Sequence, residues 1–263
     1  MDSRWLLLGS ALVAISAARL PARQAEMAPA TGGAVSAIAP NSTAPAAEYD
    51  ERAALVQAAL DSLAPQVTKQ SHTDALRSAF SAYFNFKAAH PEQVRKPYLY
   101  FVDYGLDNRT PRGYVFDMEN LSVVEGPFIV AHGRGSSASK NAVPMRFSNA
   151  HGSATTSLGL YVAQETYGFS GHSGGKLYHS IGLRLTGKSG EFNSAARARG
   201  VVVHGAPYVS AASAGRSEGC PAMEQSRARR LIPMIANGGV VFHFSPNDKT
   251  WLREDPWVNA ASE

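Results

Sequence analysis

The sequence predicts a mainly β domain, a sandwich or barrel with a few helices, preceded by a helical segment. Three observations carry this. Seven runs rich in Val, Ile, Tyr and Phe, bounded by Gly, Pro, Asn or Ser, lie between residues 98 and 245. These runs do not alternate with helical patterns, which argues against a doubly wound parallel sheet. Glycine is frequent, 23 of 263 residues, which suits a loop-rich chain more than a helical bundle.

The chain opens with Arg4, an apolar stretch from Trp5 to Ala18, and small residues at Ser16, Ala17 and Ala18. Residues 1–23 therefore read as a secretory signal peptide, the stretch being short for a membrane span, with an uncleaved membrane anchor as the alternative. This predicts an exported protein of the periplasm or cell envelope that meets the membrane only transiently, through that peptide. Residues 24–48 are rich in Ala, Pro, Gly, Ser and Thr and read as a flexible linker.

Residues 49–92 read as a helical accessory segment. Leu55, Ala59, Leu60 and Leu63 recur at helical spacing before Pro65 breaks the run. A second helix is predicted from Thr73 to Ala89, with Leu76, Phe80, Tyr83 and Phe84 on one stripe and Ser71 or Thr73 as its cap. Residues 93–252 carry the predicted strands, at 98–106, 112–118, 121–133, 157–169, 178–187, 199–210 and 238–245. One helix, 223–236, lies between the last two strands, and Pro233 should shorten or kink it. Residues 253–263 read as a tail.

A 44% hydrophobic, 17% charged composition supports one sizeable core. The formal charge of +4 is dispersed. Arg227, Arg229 and Arg230 read as the solvated face of a helix, so no nucleic-acid partner is expected. His132, His151, His172 and His179 lack tight ligand spacing, so neither a metal nor another cofactor is expected.

Cys220 is the one cysteine in the chain. Exported proteins use cysteines in pairs, so a single thiol reads as an intermolecular partner, an inert buried group or a nucleophile. A nucleophilic thiol needs a base and donors for the developing oxyanion. His204 ends the apolar run "VVVHG" and lies sixteen positions before Cys220. That is loop enough to bring the thiol back beside the imidazole, with Gly205 leaving room at the strand end.

These residues resemble the catalytic motif of the L,D-transpeptidase (YkuD-like) family, cell-wall cross-linking enzymes in which a strand ending in His-Gly precedes Ser-His-Gly-Cys. Here the parts are "VVVHGA" (201–206) and "SEGC" (217–220), followed by "MEQSRARRLIPMIANGGVVFHF" (223–244) and preceded by "FIVAHGRGS" (128–136) and "SLGLYVAQ" (157–164). Gly215, Arg216, Ser217, Gly219, Cys220, Pro221 and Ala222 match the "GRS-x-GCPA" signature of the murein L,D-transpeptidase catalytic domain branch. The resemblance spans roughly residues 95–250. It implies the L,D-transpeptidase fold and a peptidoglycan stem peptide as substrate, cut between the L-centre of its third residue and D-Ala. It also implies a Cys220 thioester, His204 as proton acceptor and donor, the Gly205 carbonyl orienting the imidazole, and carbapenems as inhibitors.

Two departures stand out. Glu218 replaces the usual His, and Ala222 the usual Arg. On an extended loop residues 216, 218 and 220 share a face. Glu218 should then raise the thiol pKa and Arg216 lower it, with Arg216 pairing Glu218 or gripping a substrate carboxylate. Pro221 holds Cys220 away from helical angles, leaving the Gly219 and Cys220 N–H groups as oxyanion donors. Arg216, Ser217, His132, Arg134 and Tyr178 are the candidate substrate-binding residues. Arg199, directly before "GVVVHG", reads as a solvated strand end, with a buried anchor as the other reading. Two other readings stay open: a Cys-His L,D-carboxypeptidase that trims stem peptides, and a non-catalytic exported wall-binding protein.

Overall fold

A computed structural model describes residues 44–259. The stretch read as a signal peptide and most of the one read as a linker lie outside the described residues. The first helix, α1 (Ala44–Leu63), begins inside the stretch read as linker. Its Ala-rich start favours helix, and Pro45 falls in the first turn, where a missing N–H breaks no bond. The buried stripe of α1 is Val56, Ala59 and Leu63, whereas Leu55 is exposed. Pro65 ends the helix in a short 3-10 turn, as its ring requires.

α2 (Ala75–Ala89) buries Leu76, Ala79, Phe80, Tyr83 and Phe86. Neither Ser71 nor Thr73 caps it. Ser71 instead gives its N–H and hydroxyl to the buried Asp103 carboxylate, at 2.7 and 2.6 Å.

The strands are β1 (Tyr98–Asp103), β2 (Gly113–Asp117), β3 (Ser122–Phe128), β4 (His132–Gly133), β5 (Gly159–Ser173), β6 (Lys176–Gly187), β7 (Val202–Gly205), β8 (Arg216–Ser217), β9 (Ala222–Met223) and β10 (Val240–Phe244). α3 (Gln225–Ile235) precedes β10, and α4 (Lys249–Glu254) follows it. Eight strands form one mixed sheet in the order β3-β2-β1-β10-β5-β6-β7-β9, while β4 and β8 make a separate two-stranded ribbon. The β1–β10 and β7–β9 pairs are parallel.

Side chains alternate across this sheet. Leu99, Phe101, Leu160, Val162, Val240 and Phe242 pack against α1, α2 and Trp251 of α4. Tyr100, Val102, Tyr161, Ala163 and Val241 pack against Ala228, Leu231, Ile232 and Ile235 of α3 on the other face. The predicted sheet-rich domain is present, and the layer covering each face of the sheet is helical. Pro233 sits inside α3.

β5 and β6 form one long hairpin around Gly174 and Gly175, whose φ values of +56° and +76° suit a tight two-residue turn. The inner half of β5 is buried in the sheet, and the outer half is not. That outer half reaches over the end of β7.

Candidate active site

His204 sits on β7 with Gly182 of β6 on one side and Ala222 of β9 on the other. Gly182 is needed there, because a Cβ on it would meet the ring of Tyr167 at 2.6 Å and the Cβ of Phe169 at 3.2 Å. The space lets Phe169 lie flat on the His204 imidazole, with centroids 4.1 Å apart and planes at 17°. His204 is 2% exposed.

Its Nδ1 stands 3.1 Å from the Gly205 carbonyl. A carbonyl only accepts, so Nδ1 carries the proton and the Nε2 lone pair is left for chemistry. Burial pulls the imidazole pKa down to about 4, so the ring is neutral at neutral pH. Gly205 itself is closely packed. A Cβ there would meet Ser180 Oγ at 2.5 Å and Gln225 Cα at 2.9 Å.

Two parallel pairings hold the cysteine loop. β8 runs beside β4, with Arg216 opposite His132 and Ser217 opposite Gly133. β9 runs beside β7, with Ala222 opposite His204. Cys220 lies in the short link between them. Gly219 has φ of +125°, and a Cβ there would stand 2.8 Å from the Thr155 carbonyl. Gly133 lets the loop approach, since its own Cβ would lie 2.9 Å from Gly219 Cα.

Ser217 is buried and its hydroxyl is used inside the loop. It donates to the Cys220 carbonyl at 2.6 Å and accepts the Gly219 N–H at 3.2 Å. This corrects two expectations. Ser217 shapes the loop and does not face substrate, and the Gly219 N–H is already bonded. Among the described residues the Cys220 N–H has no acceptor, which leaves it free to donate.

The half-buried Cys220 donates its thiol to the Gly200 carbonyl at 3.8 Å in this conformation. Burial pushes the thiol pKa up to about 11, while the Val202 N–H and the Arg199 guanidinium pull it down and Glu218 pushes it up. At rest the thiol and the imidazole are thus both neutral.

The electrostatic partners differ from those expected. Glu218 pairs with Arg134 at 2.7 Å, both largely exposed. Arg216 instead donates to the main-chain carbonyls of Ser137 and Arg134, at 3.2 and 3.4 Å. The Arg216–Glu218 pair is replaced because β8 pairing turns Arg216 toward the 134–137 turn.

His132 is also corrected. It is fully buried, accepts at Nδ1 from Arg112 at 2.9 Å and donates from Nε2 to Ser137 Oγ at 2.8 Å. Burial and the Arg112 charge pull its pKa down to about 3. It supports the turn and lines no groove. Tyr178 is half-buried on β6, edge-on to Tyr208 at 6.4 Å, and burial raises its hydroxyl pKa. Arg134, paired to Glu218, stays at the loop surface.

Two site residues escaped the sequence reading, and for a third it left two readings open. Phe169 is one of several aromatics on a strand, and only its place beside Gly182 and over His204 picks it out. Tyr208 packs edge-on to His204 at 6.5 Å from a loop with no pattern. Arg199 is no solvated strand end, since its guanidinium donates to four oxygens beside the cysteine loop. Among the described residues, no group of three His, Cys, Asp or Glu side chains is placed to hold a metal ion.

A family model for the L,D-transpeptidase catalytic domain matches residues 67–244, more than half of the chain. The chain belongs to the L,D-transpeptidase catalytic domain family. The matched region of this L,D-transpeptidase domain begins between α1 and α2 and runs to the end of β10. No curated protein matches the chain.

Among solved structures, an L,D-transpeptidase in complex with imipenem is similar at 16% identity and a TM-score of 0.36, over 56% of this chain and 59% of that one. One from Mycobacterium smegmatis has 16% identity and a TM-score of 0.33, over 56% and 58%. One from Stackebrandtia nassauensis has 14% identity and a TM-score of 0.36, over 65% and 69%. The match spans less than two thirds of the first two solved chains.

Proposed function

We propose that this protein is a cysteine acyltransferase acting on peptidoglycan stem peptides. The reading rests on one relationship: His204, its Nδ1 held by the Gly205 carbonyl, lies one parallel strand pairing away from the loop that carries Cys220. Membership of the L,D-transpeptidase family supplies the substrate class.

The chemistry starts from neutral partners. His204 Nε2 takes the thiol proton as Sγ attacks the carbonyl of the third stem residue. The Cys220 N–H stabilises the oxyanion. As the C–N bond breaks, the imidazolium returns the proton to the D-Ala amine, leaving a thioester on Cys220. An amine of a neighbouring stem then resolves the thioester into a cross-link, with His204 taking the amine proton and returning it to the departing sulfur. Water in place of the amine gives L,D-carboxypeptidase activity. The substrate lies in the cell envelope, in keeping with an apolar N-terminal run suited to export.

The test is intact-mass analysis with imipenem, the compound bound in one of the similar solved structures. The full chain should gain one covalent adduct, and Cys220→Ala none. Incubation with muropeptides should then release D-Ala and form dimers, or trimmed tripeptides if water is the acceptor. An adduct that persists in Cys220→Ala, or no release of D-Ala by the wild type, overturns the reading.

A further inference from the structure

Arg199 precedes β7 by three residues, and its side chain is fully committed at the tip. Nη1 donates to the Ser148 carbonyl at 2.8 Å and to Ser157 Oγ at 3.2 Å. Nη2 donates to the Thr155 carbonyl at 2.8 Å and to Ser153 Oγ at 3.2 Å. These four bonds consume all four Nη hydrogens. No two-pronged grip on a substrate carboxylate is left. What remains is a positive charge in one place.

That place is beside the nucleophile. The Cβ position of Gly219 is 3.6 Å from Arg199 Nη2 and 2.8 Å from the carbonyl of Thr155, one of the four acceptors. One of the oxygens that fix the guanidinium, the Thr155 carbonyl, therefore also packs on the cysteine loop. The sulfur's partners, the Gly200 carbonyl and the Val202 N–H, lie one and three residues after Arg199.

The other titratable groups around the sulfur do not compete. Glu218 is exposed and held by Arg134. His204 is kept neutral by burial. The phenols of Tyr104, Tyr167, Tyr178 and Tyr208 all have their pKa raised, chiefly by burial, and carry no charge at neutral pH. Among the described residues Arg199 is the one cation acting on the thiol.

We propose that Arg199 is a positioning residue for the acyl transfer proposed above, a fixed charge that stabilises the Cys220 thiolate as its proton leaves for His204. The role rests on that functional reading, but its test needs no substrate. Desolvation alone would hold the thiol protonated throughout the working pH range. A permanent guanidinium opposes that without taking up the proton itself, because it does not titrate there.

The experiment is the rate of iodoacetamide alkylation of the full chain between pH 7 and 11, for wild type, Arg199→Gln and Arg199→Lys. Far-UV circular dichroism and a thermal melt confirm that each is folded. Loss of one charge at this range should raise the apparent thiol pKa by about one unit, so Arg199→Gln alkylates about tenfold more slowly at pH 8. Arg199→Lys keeps the charge without the four bonds and should recover most of that rate. Arg199→Gln overlaying wild type overturns the proposal, and so does equal slowing in both variants, which would mean a structural role only. If Arg199→Gln does not fold, Ser153→Ala and Ser157→Ala each loosen the guanidinium and should slow alkylation. Wild-type profiles in both would overturn the proposal. A negative result here leaves the imipenem adduct standing, and a negative imipenem result leaves this titration standing, so the two failures are distinguishable.

Discussion

The ring of Phe169 lies on the imidazole of His204, 4.1 Å between centroids and 17° from parallel, and so closes the base off from solvent. Phe169→Ala should expose the imidazole and let its pKa rise from about 4 toward the ordinary value near 6.5. The acid limb of the acylation rate then moves up by about one to two pH units. Loss of the stacked contact should also slow acylation by up to about tenfold. The pH profile of imipenem adduct formation checks both.

Gly219→Ala places a Cβ at φ +125° and against the Thr155 carbonyl. The strain is about 1–3 kcal/mol, and it falls on the residue next to the nucleophile. A modest drop in melting temperature should accompany a much larger drop in acylation rate, because the loop can relax only by moving Cys220. Equal melting and acylation to wild type would count against the close packing of loop and Thr155.

Arg134 draws Glu218 away from Cys220. Both side chains are exposed, so Arg134→Ala should leave the melting temperature unchanged. It should slow thiol alkylation at pH 8, because Glu218 is then free to approach the sulfur. Glu218→Gln should do the opposite. Both differences should shrink as salt is raised from 10 mM to 1 M, since exposed charges are screened.

His132→Phe tests a support role against a substrate-binding one. The ring joins Arg112 to Ser137, and its loss leaves a buried guanidinium N–H without an acceptor. That should cost about 1–3 kcal/mol in urea unfolding. The acylation rate per folded molecule should stay near that of wild type.

Stability should fall on acidification. Burial holds His132 near 3 and His204 and His243 near 4, below the value near 6.5 of an unfolded chain. Between about pH 6.5 and 4 the unfolded state binds more protons, so these groups give full stability above pH 6.5 and lose it as pH falls. Each imidazole contributes a slope of about 1.4 kcal/mol per pH unit in that window. Asp103 and Asp255, whose pKa values burial raises, act with the opposite sign and offset part of the loss at the acid end. Urea midpoints from pH 8 to pH 4 measure the net slope.

The candidate thiol and imidazole were legible because their signals are local. An apolar run ending in His-Gly and a Gly-Cys-Pro on a returning loop each constrain their own backbone, and the family signature ties them together. The same holds for the helix break at Pro65 and the strand-like runs. Partner choice was not legible. Glu218 meets Arg134 across 84 positions of sequence, and Arg199 meets Ser148 across 51. His132 stands on a strand of two residues, too short for alternation to say which side it faces.

The sequence by itself picked out one thiol and one histidine as a candidate pair in a sheet-rich domain. Local backbone preferences and a continuous motif suffice for that. Only the tertiary structure decided their environment: Phe169 over the imidazole, Glu218 drawn to Arg134, and Arg199 locked beside the cysteine loop. Each of these depends on which strands lie next to each other and in what register. Register is set by packing both faces of the sheet at once, and no short stretch of sequence contains that information.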